Sequence, residues 1–160
     1  MLRRLLLTSN DFTLTVARLI MGIVFFAHGA QKALGWFGGP GYAATMSGFQ
    51  QSGIPAFFAM LAIAAEFLGG FGLIVGLLGR VAAFGIMVNM GVAIALVHLP
   101  NGLFMNWTGE KAGEGFEYHL LALALGFVLL IRGSGAASID HLLTGHRPAH
   151  IRNLPIGRAA

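Results

Sequence analysis

Four long apolar runs, at about 12–33, 55–78, 81–99 and 117–132, constrain this chain more than any other feature of its sequence. The hydrocarbon core of a bilayer is about 30 Å thick and takes about 20 helical residues to cross. No water reaches that layer, so a run of this kind satisfies its backbone polar groups by coiling into a helix. The expected fold is all-α: an integral membrane four-helix bundle, one domain over 1–132, followed by a short basic tail over 133–160. Only residues 120–131 of the fourth run are continuously apolar, which puts Glu117, Tyr118 and His119 at or inside its interface. Among 160 residues 56% are hydrophobic and 10% charged. Soluble domains carry about 25% charged residues, so that class is excluded.

An even number of crossings places both termini on one side, together with the short turn "LLGR" at 77–80. Arg3, Arg4, Arg80, Arg132, Arg147, Arg152 and Arg158 collect there, whereas the loops at 34–54 and 100–116 offer Lys111 and, at a span border, Lys32. Positive residues favour the inner face, so both termini are expected to be cytoplasmic, with Trp36, Phe37, Tyr42 and Trp107 in the outer interfacial belt. Arg18 inside the first run argues for a retained span over a cleaved leader. In the tail, "SIDHLL" at 138–143 reads as a single interfacial turn, and His141, His146 and His150 are given no ligand. The sequence pI is about 10.4, yet the basic residues flank spans and form no run interleaved with aromatics, so no nucleic-acid partner is expected. Without cysteine the chain has no thiol relay, disulfide or cysteine-held iron–sulfur cluster, and a redox role would draw on a cofactor, a quinone or a partner.

A charge near the bilayer centre costs about 2.5–3.5 kcal/mol on insertion scales, so each one needs a partner, a cavity or an interface. Arg18, His28, Glu66, Asn89 and His98 are the polar residues in question, and Glu66, embedded in "LAIAAEFLGGFGLIVG", stands out. At 3.6 residues per turn Glu66, Gly69, Gly70, Leu73 and Gly76 share a face, as do Arg18, Gly22, Phe25, Gly29 and Lys32 in the first run. Glycine lets a helix or a flat ligand approach the backbone, so these two faces are expected to pack together, with Arg18 either snorkelling to the inner head groups or pairing with Glu66 as a structural bridge. Counted from the ends of the runs, His28, Lys32, His98 and Glu117 lie at similar depth towards the outer side. Such a cluster suits proton exchange with a quinone head group, a metal ion or a haem. Of His28, His98 and His119 no two have the i, i+3 or i, i+4 spacing of metal ligands, which sets haem and metal behind quinone. Glu117 and His119 are about 200° apart on a helix, and Glu117 is expected to be the inward one. For His98, ahead of "LPNG", capping of a helix end competes with a site role.

The segments "ARLIMGIVFFAHGAQKALGW", "AAEFLGGFGLIVGLLGRVAA", "HLPNG" and "GFEYHLLALALGFVLLIRGSGAASID" together resemble the DoxX family of small four-span membrane proteins, in order and spacing, over about 17–143. The resemblance implies a four-helix membrane bundle. It also implies motif positions at Arg18, Gly22, His28, Gly29 and Lys32, at Glu66, Gly69, Gly70, Gly76 and Arg80, and at His98, Pro100, Asn101, Gly102 and Glu117. His119 departs from that pattern and receives no role. Related small subunits belong to a thiosulfate:quinone oxidoreductase, which makes a membrane redox complex the family's functional suggestion, although a shared fold does not fix function.

Three functions follow as expectations. The first is a quinone-interacting membrane subunit of an oxidoreductase complex in the bacterial inner membrane. There Glu66 and Arg18 handle protons, while His28, Lys32, Gly69, Gly70, His98 and Glu117 form the quinone pocket and a partner protein supplies electrons. The second is a non-catalytic scaffold or assembly factor whose charged pairs fix helix order. The third is a small-solute or proton-coupled carrier, for which a second copy of the chain completes the path.

Overall fold

Helix signals at the sequence level set the elements that the computed structural model describes over residues 2–145; Arg147, Arg152, Arg158, His146 and His150 lie outside the described residues. A short α1 (Leu2–Leu6) precedes α2 (Phe12–Leu34). Asp11 caps the start of α2 by accepting the Thr13 N–H at 2.8 Å, and Gly35, in the left-handed region at φ 74°, ends it. Next come α3 (Gly41–Gln51) and α4 (Ala56–Val75), which starts after Pro55 and ends at Gly76. The helix α5 (Gly79–Ala93) runs on through a π turn (Ile94–His98) and a 3-10 turn (Leu99–Asn101) containing Pro100. Finally α6 (Glu117–Arg132) leads to α7 (Ile139–Gly145).

Among the described residues three continuous helices are long and apolar enough to cross a membrane: Phe12–Leu34, Ala56–Val75 and Gly79–Asn101. With 16 residues α6 is about 24 Å long, short of the full hydrocarbon thickness. Two differences from the sequence reading lie outside the spans. The segment expected as a loop at 34–54 contains α3, whose mixed "GYAATMSGFQQ" is too polar to register as a crossing. The start of the tail is docked, as described below. No strand occurs among the described residues.

Around the bundle α2 packs on α4, α4 on α5, α5 on α6 and α6 back on α2. Met21, Phe25, Leu73, Ile86, Met90 and Leu129, one or more from each helix, form the core between them. Ile20, Ile23, Phe57, Leu68, Phe84 and Val88 point outward and are half or more exposed. A soluble protein does not carry so continuous an apolar exterior, whereas lipid covers it. The α2–α4 crossing is a backbone contact: a Cβ on Gly29 would stand 2.3 Å from the Phe67 nitrogen, and one on Gly70 2.3 Å from the Phe26 nitrogen. Only glycine allows that approach, so the two glycine faces set the antiparallel register of these helices.

At the end of the bundle where α1 and α7 lie, side chains satisfy the helix ends, whose last carbonyls and first N–H groups have no partner within the helix. Arg18, 1% exposed, donates to the Leu73 and Ile74 carbonyls at the C-terminus of α4 and to the Ala137 carbonyl of the tail. Asp140, also 1% exposed, accepts the N–H groups of Leu78 and Gly79 at 2.8 and 3.0 Å and the Ser134 hydroxyl at 2.6 Å. A positive side chain thus sits on the negative end of α4 and a negative one on the positive end of α5, the favourable sense for both helix dipoles. Between them Leu78 is held at φ 52°, a left-handed conformation that costs a non-glycine residue about 1–2 kcal/mol. Arg80 adds bonds to the Leu7 and Leu130 carbonyls, tying α1 and α6 to the same knot.

Candidate functional site

The register set by Gly22, Gly29 and Gly70 decides which cation meets Glu66. One helical turn beyond Gly29 on the same face of α2 stands Lys32, and its Nζ lies 2.5 Å from Glu66 Oε2. The other carboxylate oxygen, Oε1, accepts a hydrogen bond from Asn89 Nδ2 of α5 at 2.9 Å. Glu66 is 3% exposed, and both its oxygens are engaged by donors from neighbouring helices. Of the two alternatives for Arg18, the pair with Glu66 does not form. Arg18 lies about 21 Å from Lys32 along the axis of α2, fourteen residues at 1.5 Å each, and is taken up by backbone carbonyls at the opposite end of the crossing.

Beside this pair a groove of about 860 Å³ runs between α4 and α5. Its walls are apolar, among them Phe58, Leu61, Val81 and Phe84, and Lys32, Glu66, Asn89 and His98 are its ionisable or amide side chains. Gly69 lines the groove, where a Cβ would meet nothing closer than Ile86 at 3.6 Å. Gly70, named with it from the sequence, faces the other way and is consumed by the contact with α2. A second hollow of about 780 Å³ under α3 shares Lys32, Phe49, Ile54, Leu96 and Val97 with the first, so the space continues from the ion pair to the underside of that helix.

The remaining predicted residues separate. His28 stands on α2 with its ring centroid 6.3 Å from that of Tyr118. His98 ends the π turn; its Nδ1–H donates to the Glu114 carbonyl at 2.8 Å, so it ties the 102–116 loop to the helix and caps no carbonyl of its own helix. Glu117, expected inward, turns to the 102–116 loop: its Oε1 accepts from the Met105 N–H at 2.9 Å and from the Trp107 indole at 3.2 Å. The loop folds back over the start of α6, with Glu117 N–H on the Leu103 carbonyl, and draws the carboxylate out of the bundle. In its place His119, which the sequence reading left without a role, is buried at 6% exposure and packs on His98 with ring centroids 4.1 Å apart. Among the described residues no three His, Asp or Glu side chains come together as a metal site.

The sequence reading singled out Asn89 as a polar residue inside an apolar run but gave it no role, and it missed Asp140. Asp140 carried no signal, since an aspartate in a polar tail is ordinary.

Comparison with known proteins extends beyond these residues. The sequence profile of the family DoxX matches residues 13–99, which takes in Arg18, Lys32, Glu66, Asn89 and His98 but stops before α6. "Inner membrane protein YqjF" of Escherichia coli (strain K12) is 33% identical over 135 residues, 84% of this chain and 94% of that protein. "Uncharacterized membrane protein Rv3486" of Mycobacterium tuberculosis (strain ATCC 25618 / H37Rv) is 34% identical over 149 residues, 88% of this chain and 87% of that one. No solved structure matches.

Proposed function

The chain belongs to the DoxX family of membrane proteins, and from that premise we propose that it is a quinone-interacting subunit of a redox complex in the inner membrane. One observation carries the reading: a carboxylate clamped by Lys32 and Asn89 at the polar end of an otherwise apolar groove between two membrane helices. Apolar walls of this kind accept an isoprenoid tail, and a few convergent polar groups fix the head. A quinone head offers carbonyl acceptors, so it needs donors. The Lys32 ammonium has three N–H groups and the Asn89 amide two, and each spends one on Glu66, leaving further donors at the same point. Two electrons from the partner protein and two protons convert a quinone to its hydroquinone. This chain's share is to hold the head, keep water away from it and exchange protons at Glu66 and Lys32. In this reading α6 completes the bundle as a fourth crossing and the arginine-rich end faces the cytoplasm.

The scaffold reading draws on the same pair, since Glu66 also joins α2, α4 and α5. Titration of the purified chain in lipid nanodiscs with ubiquinone-1 and with menadione, read by tryptophan fluorescence, separates the two. The quinone reading expects saturable binding that weakens at least about tenfold, or about 1.4 kcal/mol, in Glu66→Gln while the helical circular dichroism is retained. No saturable binding of either quinone, or equal affinity in the variant, refutes it and leaves the scaffold.

A further inference from the structure

Where α1 and α7 close the bundle, the charge left at the surface is nearly all of one sign. Arg18 and Asp140 are buried there and spent on helix ends. What remains among the described residues is Arg3, Arg4 and Arg132, all exposed, and the half-buried Arg80, against the partly exposed carboxylate of Asp11. Four arginines thus face one acid. The chain's other carboxylates, Glu66, Glu110, Glu114 and Glu117, belong to the ion pair or to the 102–116 loop.

A topology signal asks only that basic residues be present and sets no side-chain geometry. Two of these four are nevertheless built into one junction. The end of α6 and the segment between α1 and α2 lie backbone on backbone: a Cβ on Gly133 would stand 2.7 Å from the Leu7 carbonyl oxygen, and the Ser9 N–H donates to the Arg132 carbonyl at 3.3 Å. Arg80 reaches the same place from the first turn of α5. Its Nε donates to the Leu7 carbonyl at 3.0 Å and its Nη1 to the Leu130 carbonyl at 2.5 Å, which fixes the guanidinium plane and leaves three of its five N–H groups outside these bonds. Arg132 is held there by its backbone, while its guanidinium is 57% exposed and 3.8 Å from Asp11, beyond hydrogen-bond reach. A cation in the first turn of α5 also opposes that helix's dipole, so helix electrostatics alone would not place an arginine at position 80.

The junction lies where α5 begins and α6 ends, at the border of the lipid-covered exterior. Just inside it Phe127, Val128 and Ile131 of α6 point outward and are exposed. A phosphodiester carried on acyl chains matches both parts, with its oxygens on preorganised guanidinium donors and its chains on an apolar helix face. A zwitterionic lipid brings the same phosphate together with an ammonium, which an excess of positive charge repels.

We propose that the Arg80–Arg132 junction, flanked by Arg3 and Arg4, binds the headgroup of an anionic phospholipid whose acyl chains lie along the outer face of α6. The bound phosphate bridges cations from α5 and α6 and so holds the junction with α1 closed. This site does not draw on the reading of Glu66 and stands or falls apart from it.

The test uses the full-length chain in dodecyl maltoside micelles, with adducts counted by native mass spectrometry as dioleoylphosphatidylglycerol, dioleoylphosphatidylcholine or inorganic phosphate is added. Phosphatidylglycerol is expected to bind at least about tenfold more tightly than either of the others, and to weaken as ammonium acetate is raised. Arg132→Gln, which breaks none of the hydrogen bonds of the junction, should bind it about fivefold more weakly, and Arg80→Gln with Arg132→Gln about twentyfold, the worth of one and of two surface arginines. Asp11→Asn, which keeps the cap of α2 and removes the competing carboxylate, should bind it at least about twofold more tightly. Equal affinity for the two lipids, wild-type affinity in Arg132→Gln, or inorganic phosphate binding as tightly as phosphatidylglycerol each overturns the proposal. Should circular dichroism show that loss of Arg80 unfolds the chain, Arg132→Gln decides alone.

Discussion

If the register of α2 on α4 is as described, Glu66 is energetically coupled to Lys32 and not to Arg18, although both cations share one face of α2. At 2.5 Å and an effective dielectric of about 20, the Lys32–Glu66 attraction is about 7 kcal/mol before desolvation. Lys32 is 32% exposed against 4% for Glu66, so water screens one partner and desolvation offsets much of the rest. A net coupling of about 2–3 kcal/mol is expected, the range of close charge pairs held by further hydrogen bonds. Arg18 makes its bonds to carbonyls at the other end of the crossing, and groups so far apart add independently within about 0.5 kcal/mol. Two double-mutant cycles measure this, Lys32→Met with Glu66→Gln and Arg18→Met with Glu66→Gln, each by reversible unfolding in mixed micelles titrated with dodecyl sulfate. A Lys32–Glu66 coupling below about 0.5 kcal/mol, or an Arg18–Glu66 coupling as large as it, refutes the reasoning.

Asp140→Ala removes three accepted hydrogen bonds and leaves two N–H groups at the start of α5 unpaired beside a strained Leu78, so the same unfolding assay should show a loss of about 3 kcal/mol. Adjacent glycines should differ: Gly70→Ala forces a Cβ to 2.3 Å from the Phe26 nitrogen and costs about 2 kcal/mol or more, whereas Gly69→Ala has 3.6 Å to spare and stays within about 0.5 kcal/mol of wild type. The Asp11 carboxyl is held below its ordinary value of 3.8, first by the Thr13 N–H. Its folded pKa being depressed, the stability it gives to α2 is complete above about pH 4 and is lost as the pH falls through the lower folded value. Asp11→Asn, which caps without titrating, should flatten that acid limb of the unfolding midpoint.

Length and composition alone placed three membrane helices within a few residues, because a bilayer asks only for enough apolar residues in a row. The same logic singled out Glu66, since nothing local excuses a carboxylate in that setting, and helical periodicity found the glycine faces of α2 and α4 that pack together. It could not say how far one helix slides along the other. Depth counted from the ends of the runs put Arg18 in the inner part and Glu66 near the middle, which left a pair between them open beside snorkelling of Arg18 to the inner head groups. Backbone contacts at Gly29 on Phe67 and at Gly22 on Ile74 fix an antiparallel register in which Lys32 reaches the carboxylate and Arg18 reaches the end of α4. At the start of α6, where two residues on opposite faces both carry polar groups, the sequence reading chose Glu117 as the inward one, and the structure reverses that choice. The loop folding back over Glu117 drew that residue out and left His119 against His98. Asp140 was invisible for the same reason: its importance lies in two N–H groups 61 and 62 residues away. The sequence by itself determined which segments leave water and which polar residues then need partners. Only the tertiary structure decided the partners, because hydrogen bonds and ion pairs are satisfied across helices whose register is set by close packing and not by spacing along the chain.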